Sequence, residues 1–440
     1  MKISKYSFLY CDNDLFYIYN SLSNSFLEID QELYNALKIK QEQKSEIYEN
    51  ELDIETKELL LDKRIITNND KDEFLLYKSI VERQRNIDNH MHLTIAPTMD
   101  CHFSCHYCYE KKEKKYMSDE VINSIVNHLQ YYKNLSSIHL TWFGGEPLMA
   151  IDRMKTFYDE FDKVWDKKFT SNIITTGFLI TPEVIETLKY IRVSKMQITL
   201  DGNKENHNKV KNTSICTDVF TKTIENVNLI TELAPEIEIS IRVNLTKENS
   251  NDFPPLLHTL LEKFKGKKVF VSPAFVLNRA VNKCDCDSNG LFNRKESSER
   301  ILNLYNKLGI ITPHLLYTTS FFQECGIRNK TALSVDPEGY IYKCWEIIGK
   351  KEYAIGKLID GKVEDINIRV LNRQLYGADP LDDKTCSKCS YLPICAGGCP
   401  IQRIENEFEG KSNDVCTNRK GYMKDFLKAH LKIKKISTLS

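Results

Sequence analysis

Cys101-His-Phe-Ser-Cys105-His-Tyr-Cys108 places three thiols within eight residues, separated by three residues and then by two. The stretch begins a few residues after His92–Ala96, a run whose composition predicts a β-strand. Three thiolates on one tight loop suit three irons of a [4Fe–4S] cube, which normally takes four cysteines. No fourth cysteine is near, so one iron is left for a small bidentate ligand. The competing reading is a structural zinc site, which needs four closed ligands and would draw on His102 or His106. Spacing alone does not separate the two.

Outward from this stretch, strand-like and helical runs alternate. The predicted strands are 92–96, 137–142, 172–176, 195–200, 236–244 and 268–273. The predicted helices between them are 118–132, 151–164, 182–191, 219–230 and 254–264. Repeated βα units imply an α/β fold with a parallel sheet, and six of them make an open, partial (β/α)6 barrel over residues 90–310. Active sites in such folds lie at the carboxyl ends of the strands, which is where the cysteine loop falls.

The whole chain has 440 residues, 14 cysteines, and 61 basic against 61 acidic side chains. Zero net charge provides no broad drive for polyanion binding, so no nucleic-acid partner is expected. The N-terminal run meets Asp12 and Asp14 too soon for a signal-peptide core. No apolar run approaches the ~18–20 residues that span a bilayer. The expected location is cytoplasmic, without a membrane partner. Disulfides are rare there, so clustered cysteines point to metal or redox roles.

The pattern CxxxCxYC after a first strand resembles the radical S-adenosylmethionine superfamily. Phe143-Gly144-Gly145-Glu146-Pro147, after the second strand, is similar to that family's GGEP motif. The resemblance implies that its backbone and Glu146 receive the ammonium of the cofactor's methionine. Glycines allow close backbone approach, and carbonyl or carboxylate oxygens suit an ammonium. Gln197-Ile-Thr199-Leu-Asp201-Gly202 with His207-Asn-Lys-Val-Lys211 resembles the fourth-strand pattern S-x-D-G…H-D-x-x-R. Thr199 keeps the hydroxyl expected to bind the cofactor; Lys211 keeps the charge but lacks the bidentate fork of arginine. Tyr107 matches the aromatic position beside the adenine. The chemistry so implied is reductive cleavage of S-adenosylmethionine, followed by hydrogen abstraction from a substrate by the 5′-deoxyadenosyl radical.

Seven cysteines fall late, at 325, 344, 386, 389, 395, 399 and 416. Cys386, Cys389, Cys395 and Cys399 could make one zinc ribbon, which leaves Cys325, Cys344 and Cys416 unexplained. The whole pattern, with Asp336-Pro337-Glu338-Gly339 ahead of Cys344, resembles the SPASM extension of radical enzymes. That resemblance implies a C-terminal domain (311–440) with two auxiliary clusters, making three [4Fe–4S] clusters in all. Cys386, Cys389, Cys395 and Cys416 would hold the outer one. Cys325, Cys344 and Cys399 would hold the inner one, whose fourth position is either open or filled by Cys284 or Cys286. Metal ligation would supply folding energy that so little periodic sequence lacks. The basic run 428–435 reads as a solvated helix end.

Residues 1–85 read as three strands (6–10, 15–19, 25–29), a helix from 31 capped by Asp30, and further helices near 54–61 and 72–86. This small α+β module looks like the winged-helix leader-binding segments of enzymes that mature ribosomally made peptides. An exposed edge strand would take the leader as one more strand. Deleting the module is expected to weaken precursor binding while sparing cofactor cleavage. The leading expectation is an enzyme that makes a C–C or C–S crosslink in a precursor peptide, served by a flavodoxin- or ferredoxin-type electron donor. Side-chain oxidation of the anaerobic sulfatase-maturase kind is a second reading. That branch carries Asp directly after the cysteine equivalent to Cys344; here the position is Trp345, with Glu346 next as a displaced candidate base. A non-catalytic iron–sulfur or zinc scaffold that binds a peptide is a third.

Overall fold

The hairpin of the N-terminal module turns on Asn13 and Asp14, both in the left-handed region (φ 49° and 65°). Two such residues make the turn whose twist matches antiparallel strands. They pair β2 (Ser7–Asp12) with β3 (Leu15–Asn20), and β4 (Phe26–Ile29) completes a three-stranded meander. β1 (Lys2–Ile3) pairs separately with β5 (Ile66–Thr67). Asp30 caps the helix Gln31–Gln43 by accepting from the Leu33 amide at 2.8 Å, as its position predicts. Helices Ile54–Asp62 and Asp70–Arg85 follow.

The computed structural model describes residues 1–211, 213, 215–277, 290–309 and 324–437. The chain forms two compact units: Met1–Arg85 with Arg294–Cys325 and Gly377–Ser440, and Asn86–Asn293 with Gly326–Tyr376. In the first unit, Ile18, Leu37, Leu60, Ile65 and Ile66 close a core within the N-terminal module. Tyr6, Leu22, Tyr77 and Val81 also pack with Leu381 and Leu392, and Tyr19 packs with Met423 and Leu427. The N-terminal module therefore shares apolar core with the late cysteine region. The basic run lies in a helix, Met423–Ser437, that buries Phe426, Leu427 and Ala429, while Lys428 pairs with Asp12 at 2.7 Å.

In the second unit, β6 (His90–Ile95), β7 (Ser137–Trp142), β8 (Lys168–Thr175), β9 (Val193–Leu200), β10 (Glu238–Leu245) and β11 (Val269–Phe275) run parallel in chain order. Helices Asp119–Leu129, Ile151–Asp162, Pro182–Tyr190, Val219–Leu233 and Phe253–Lys263 connect them. This is an open, partial (β/α)6 barrel. A further strand, β12 (Ala332–Val335), adds parallel to β6, with Ala332 opposite His92. β13 (Tyr340–Tyr342), β14 (Gly356–Ile359) and β15 (Lys362–Glu364) continue the sheet antiparallel. These strands are three or four residues long, too short to show alternation, so the sequence beyond 311 reads as short on periodic structure where the chain extends the sheet. No described helix is long and apolar enough to cross a membrane.

Candidate functional site

The loop after β6 is fastened at its neck. The Met117 amide donates to Pro97 O (2.9 Å), Met99 N to Lys115 O (3.2 Å), and Glu113 N to Met99 O (3.2 Å). Between these ties the chain carries Cys101, Cys105 and Cys108, with Cys108 N donating to Cys105 O at 3.0 Å to close a turn. Phe103 anchors the loop: fully buried, it packs with Phe178 and Val219 against Cys101, Cys105 and Cys216. The ring of His102 lies against Phe103 and Phe178, whereas His106 is exposed. Burial pushes the Cys101 thiol up to about 12 and raises that of Cys108, and each interacts electrostatically with Cys105. Such thiols ionise when a metal displaces the proton.

The Gly-Gly-Glu-Pro segment is laid along the base of this loop. Amides of Phe143, Gly145 and Glu146 donate to the carbonyls of Ile95 (2.9 Å), Thr98 (3.2 Å) and Asp100 (2.8 Å). A Cβ on Gly144 would overlap Thr98 O, and one on Gly145 would overlap Asp100 O. Glycine is thus required where the two backbones meet, one residue before Cys101. Pro147, buried, opens a short turn behind them. The Glu146 side chain is engaged within the protein. It is 0 % exposed, and its carboxylate accepts from Leu148 N (3.1 Å), Thr175 Oγ1 (2.6 Å), Thr176 N (2.8 Å) and Thr176 Oγ1 (2.6 Å). Those four donors use the roughly four lone-pair sites of a carboxylate. In this structure the side chain ties the β7 loop to the end of β8.

Tyr107 and Lys211 come together on Asp201, at the carboxyl end of β9. The Tyr107 hydroxyl donates to Asp201 Oδ1, and Asn244 Nδ2 donates to the Tyr107 oxygen at 3.1 Å. Lys211 Nζ lies 3.6 Å from Asp201 Oδ2 and 3.3 Å from Cys105 Sγ. Burial, with Asp201 beside it, holds the Tyr107 phenol well above its ordinary range. The Asp201 amide donates to His207 Nδ1 at 3.2 Å, and burial lowers His207 to about 4, keeping it neutral. A cavity of about 270 Å³ opens here, lined in part by Tyr107, Asp201, Asn206, Asn244, Thr246 and Asn249. Thr199 stands on β9 opposite Arg242 of β10. Asp201, Asn244 and Asn249 were not assigned from sequence. Asn244 could have been found from its place at the carboxyl end of a strand, but Asn249 lies beyond β10 and carries no such signal.

The Asp-Pro-Glu-Gly motif is a hairpin cap. Asp336 accepts from the amides of Glu338 (2.9 Å) and Tyr340 (3.0 Å) and from the Tyr342 hydroxyl (2.9 Å), while Gly339 supplies φ +85°. β13 then delivers Cys344. The next residue, Trp345, is 45 % exposed and stacks on Phe143 (6.0 Å, 30°). Glu346 is half-buried and faces Tyr109 electrostatically.

The first unit holds Cys325, Cys386, Cys389, Cys395, Cys399 and Cys416. Cys386 interacts electrostatically with Cys389, and Cys395 with both Cys386 and Cys416. A Cβ on Gly398 would overlap Val415 O, so this glycine lets the 395–399 turn lie against the residue preceding Cys416. Burial pushes the Cys395 thiol up to about 11. Cys284 and Cys286 lie outside the described residues. Among the described residues no three His, Cys, Asp or Glu side chains converge closely enough to share one metal ion. A four-iron cube, whose corners each take one thiolate, is the group that such a donor type would suit.

Residues 95–260 match the family model described as the radical SAM superfamily. The chain is 23 % identical to the mycofactocin maturase MftC of Mycolicibacterium smegmatis, over 72 % of this chain and 79 % of that protein. It is 21 % identical to the radical SAM cyclopropyl synthase TigE of Paramaledivibacter caminithermalis, over 90 % of this chain and 88 % of that protein. Its fold is similar to that of anSMEcpe with bound AdoMet and the Kp18Cys peptide (TM-score 0.60, 18 % identity, 80 % of this chain and 100 % of that one).

Proposed function

We propose that this chain, a radical S-adenosylmethionine enzyme by its domain at residues 95–260, installs a C–C or C–S crosslink in a ribosomally synthesised precursor peptide. One observation carries the reading: the chain has both the fastened three-thiol loop and a second thiol set at Cys386, Cys389, Cys395 and Cys416. A crosslink made by joining two C–H or S–H sites removes two hydrogens. It therefore needs a hydrogen-abstracting centre and a separate exit for an electron. The names of MftC and TigE, a maturase and a cyclopropyl synthase, support the class of chemistry.

When bound, the cluster and S-adenosylmethionine supply the hydrogen-abstracting radical. Cys101, Cys105 and Cys108 hold the first cluster. Carbonyls of the Gly144–Pro147 segment meet the cofactor's ammonium; Tyr107, Thr199 and Lys211 orient the rest of it. Cys325, Cys344 and Cys399, with the outer four, complete the auxiliary ligands. β4 offers the leader an edge, because among the described residues only β3 pairs with it. The reaction is cytoplasmic, with a flavodoxin- or ferredoxin-type donor.

The test uses anaerobically reconstituted full-length protein, S-adenosylmethionine, a reductant, and a candidate precursor peptide taken from a short reading frame beside this chain's gene. The expected products are 5′-deoxyadenosine and a peptide lighter by two hydrogens per crosslink. 5′-Deoxyadenosine without any change in peptide mass overturns the crosslinking. Its absence overturns the radical reading.

A further inference from the structure

Two cations donate directly to sulfurs of the outer thiol set. Lys420 Nζ lies 3.1 Å from Cys416 Sγ, and Arg403 Nη1 lies 3.4 Å from Cys386 Sγ. Arg403 is held in place from three further sides, by Ala378 O (2.7 Å), Gly397 O (3.5 Å) and Asp383 Oδ2 (2.8 Å). Lys5 of the N-terminal module donates to Ser387 O at 2.9 Å, between Cys386 and Cys389, and interacts electrostatically with Cys389. Two carboxylates also reach this region, and each has its own guanidinium: Asp383 pairs with Arg403 (2.8 Å) and Asp414 with Arg294 (2.7 Å). Among the described residues Lys420 has no carboxylate within ion-pair distance; Asp414 interacts with it electrostatically, and its ammonium donates to the Cys416 sulfur at 3.1 Å. By contrast, the Lys211 ammonium beside Cys105 is shared with Asp201.

We propose that Lys420 and Arg403 raise the reduction potential of the cluster that Cys386, Cys389, Cys395 and Cys416 would hold. The physical cause is that reduction adds negative charge to a cluster, and nearby N–H donors and positive charge stabilise that charge. The inference rests on the proposed outer ligand set and goes beyond it, since neither residue is a ligand. Both act as positioning groups whose effect is electrostatic.

The experiment is a redox titration followed by electron paramagnetic resonance on the full chain carrying Cys101→Ala, Cys105→Ala and Cys108→Ala, which removes the first cluster's signal. Lys420→Met is expected to move one auxiliary midpoint to more negative potential by at least a tenfold change in the reduced-to-oxidised ratio, about 59 mV for one electron. Lys420→Arg is expected to hold it near the parent value. Iron content is read in parallel. An unmoved midpoint in Lys420→Met with iron intact overturns the proposal. So does a Lys420→Arg variant that retains iron but shows the Met variant's midpoint. Should Lys420→Met lose iron, Arg403→Gln takes its place: a midpoint moved to more negative potential supports the proposal, and an unmoved midpoint with iron intact overturns it. No auxiliary iron in the parent triple variant overturns the ligand set itself, which is a different result from an unmoved potential.

Discussion

The Lys211 ammonium bridges the Cys105 sulfur, at 3.3 Å, and the Asp201 carboxylate, at 3.6 Å. Both Lys211 and Asp201 are buried. Removing one member of a buried pair leaves the other uncompensated, at a cost of about 3 kcal/mol. Lys211→Met is therefore expected to lower the thermal midpoint of the protein even without S-adenosylmethionine, as read by anaerobic calorimetry. An unchanged midpoint without the cofactor, with weakened cofactor binding, would show that Lys211 serves the ligand alone.

Glu146 yields a sharper discrimination. Glu146→Gln turns one acceptor oxygen into a donor that faces Thr175 or Thr176, and a buried polar mismatch costs ~1–3 kcal/mol. The expected result is a destabilised protein whose remaining folded fraction binds S-adenosylmethionine with near-parental affinity, measured by calorimetric titration. Parental stability with lost affinity would return Glu146 to the role its motif implies.

The pH dependence of stability should carry the mark of Glu73. This carboxyl is 4 % exposed, and burial raises it from its usual range to about 7. Its folded value lies above its unfolded one, so the folded state binds the extra proton between them. Stability from this group is present below about pH 4.5 and is lost as pH rises to about 7. The loss is ~2 kcal/mol after allowance for partial solvent screening. Glu73→Gln should melt above the parent at pH 8 and lose that advantage at pH 5. Parallel melting curves across this range would count against the buried acid.

Truncation of residues 1–85 should do more than the sequence alone suggests. Ser21 Oγ donates to Ser390 O (2.6 Å), Tyr77 OH to Leu392 O (3.3 Å) and Lys5 Nζ to Ser387 O (2.9 Å), all on the Cys386–Cys395 stretch. Arg85 pairs with Glu324 (2.5 Å) and Asp379 (2.6 Å). Without the module, Leu381, Leu392, Met423 and Leu427 lose apolar partners. The truncated chain is expected to lose auxiliary iron and aggregate, so leader binding is better probed by charge substitutions on β4. A soluble truncation with its full iron content would show the shared core to be dispensable.

The barrel was readable because each βα unit combines a β-branched run with an amphipathic helix. The predicted strand 137–142 and the helix starting at 182 coincide with the observed limits. The cysteine spacing and the Asp30 cap were equally local signals. What escaped was either short or long-range. β12 is four residues long, and its identity depends on β6. The helix Lys204–Val210, which positions His207 and leads to Lys211, is polar and brief. The saturation of Glu146 depends on Thr175 and Thr176, 29 and 30 residues away, which no motif records.

β12 pairs with β6 across about 240 residues of chain. During translation, the strand that bears the cysteine loop at its end must wait for roughly three quarters of the protein before its second neighbour exists. Contacts this distant in sequence form late and slow the search for the native state. Until then β6 has an open flank able to pair wrongly with other nascent strands. The second neighbour of β6 exists only once residue 335 has left the ribosome. A chain cut short before β12 should leave that flank of β6 unpaired and yield misassembled protein.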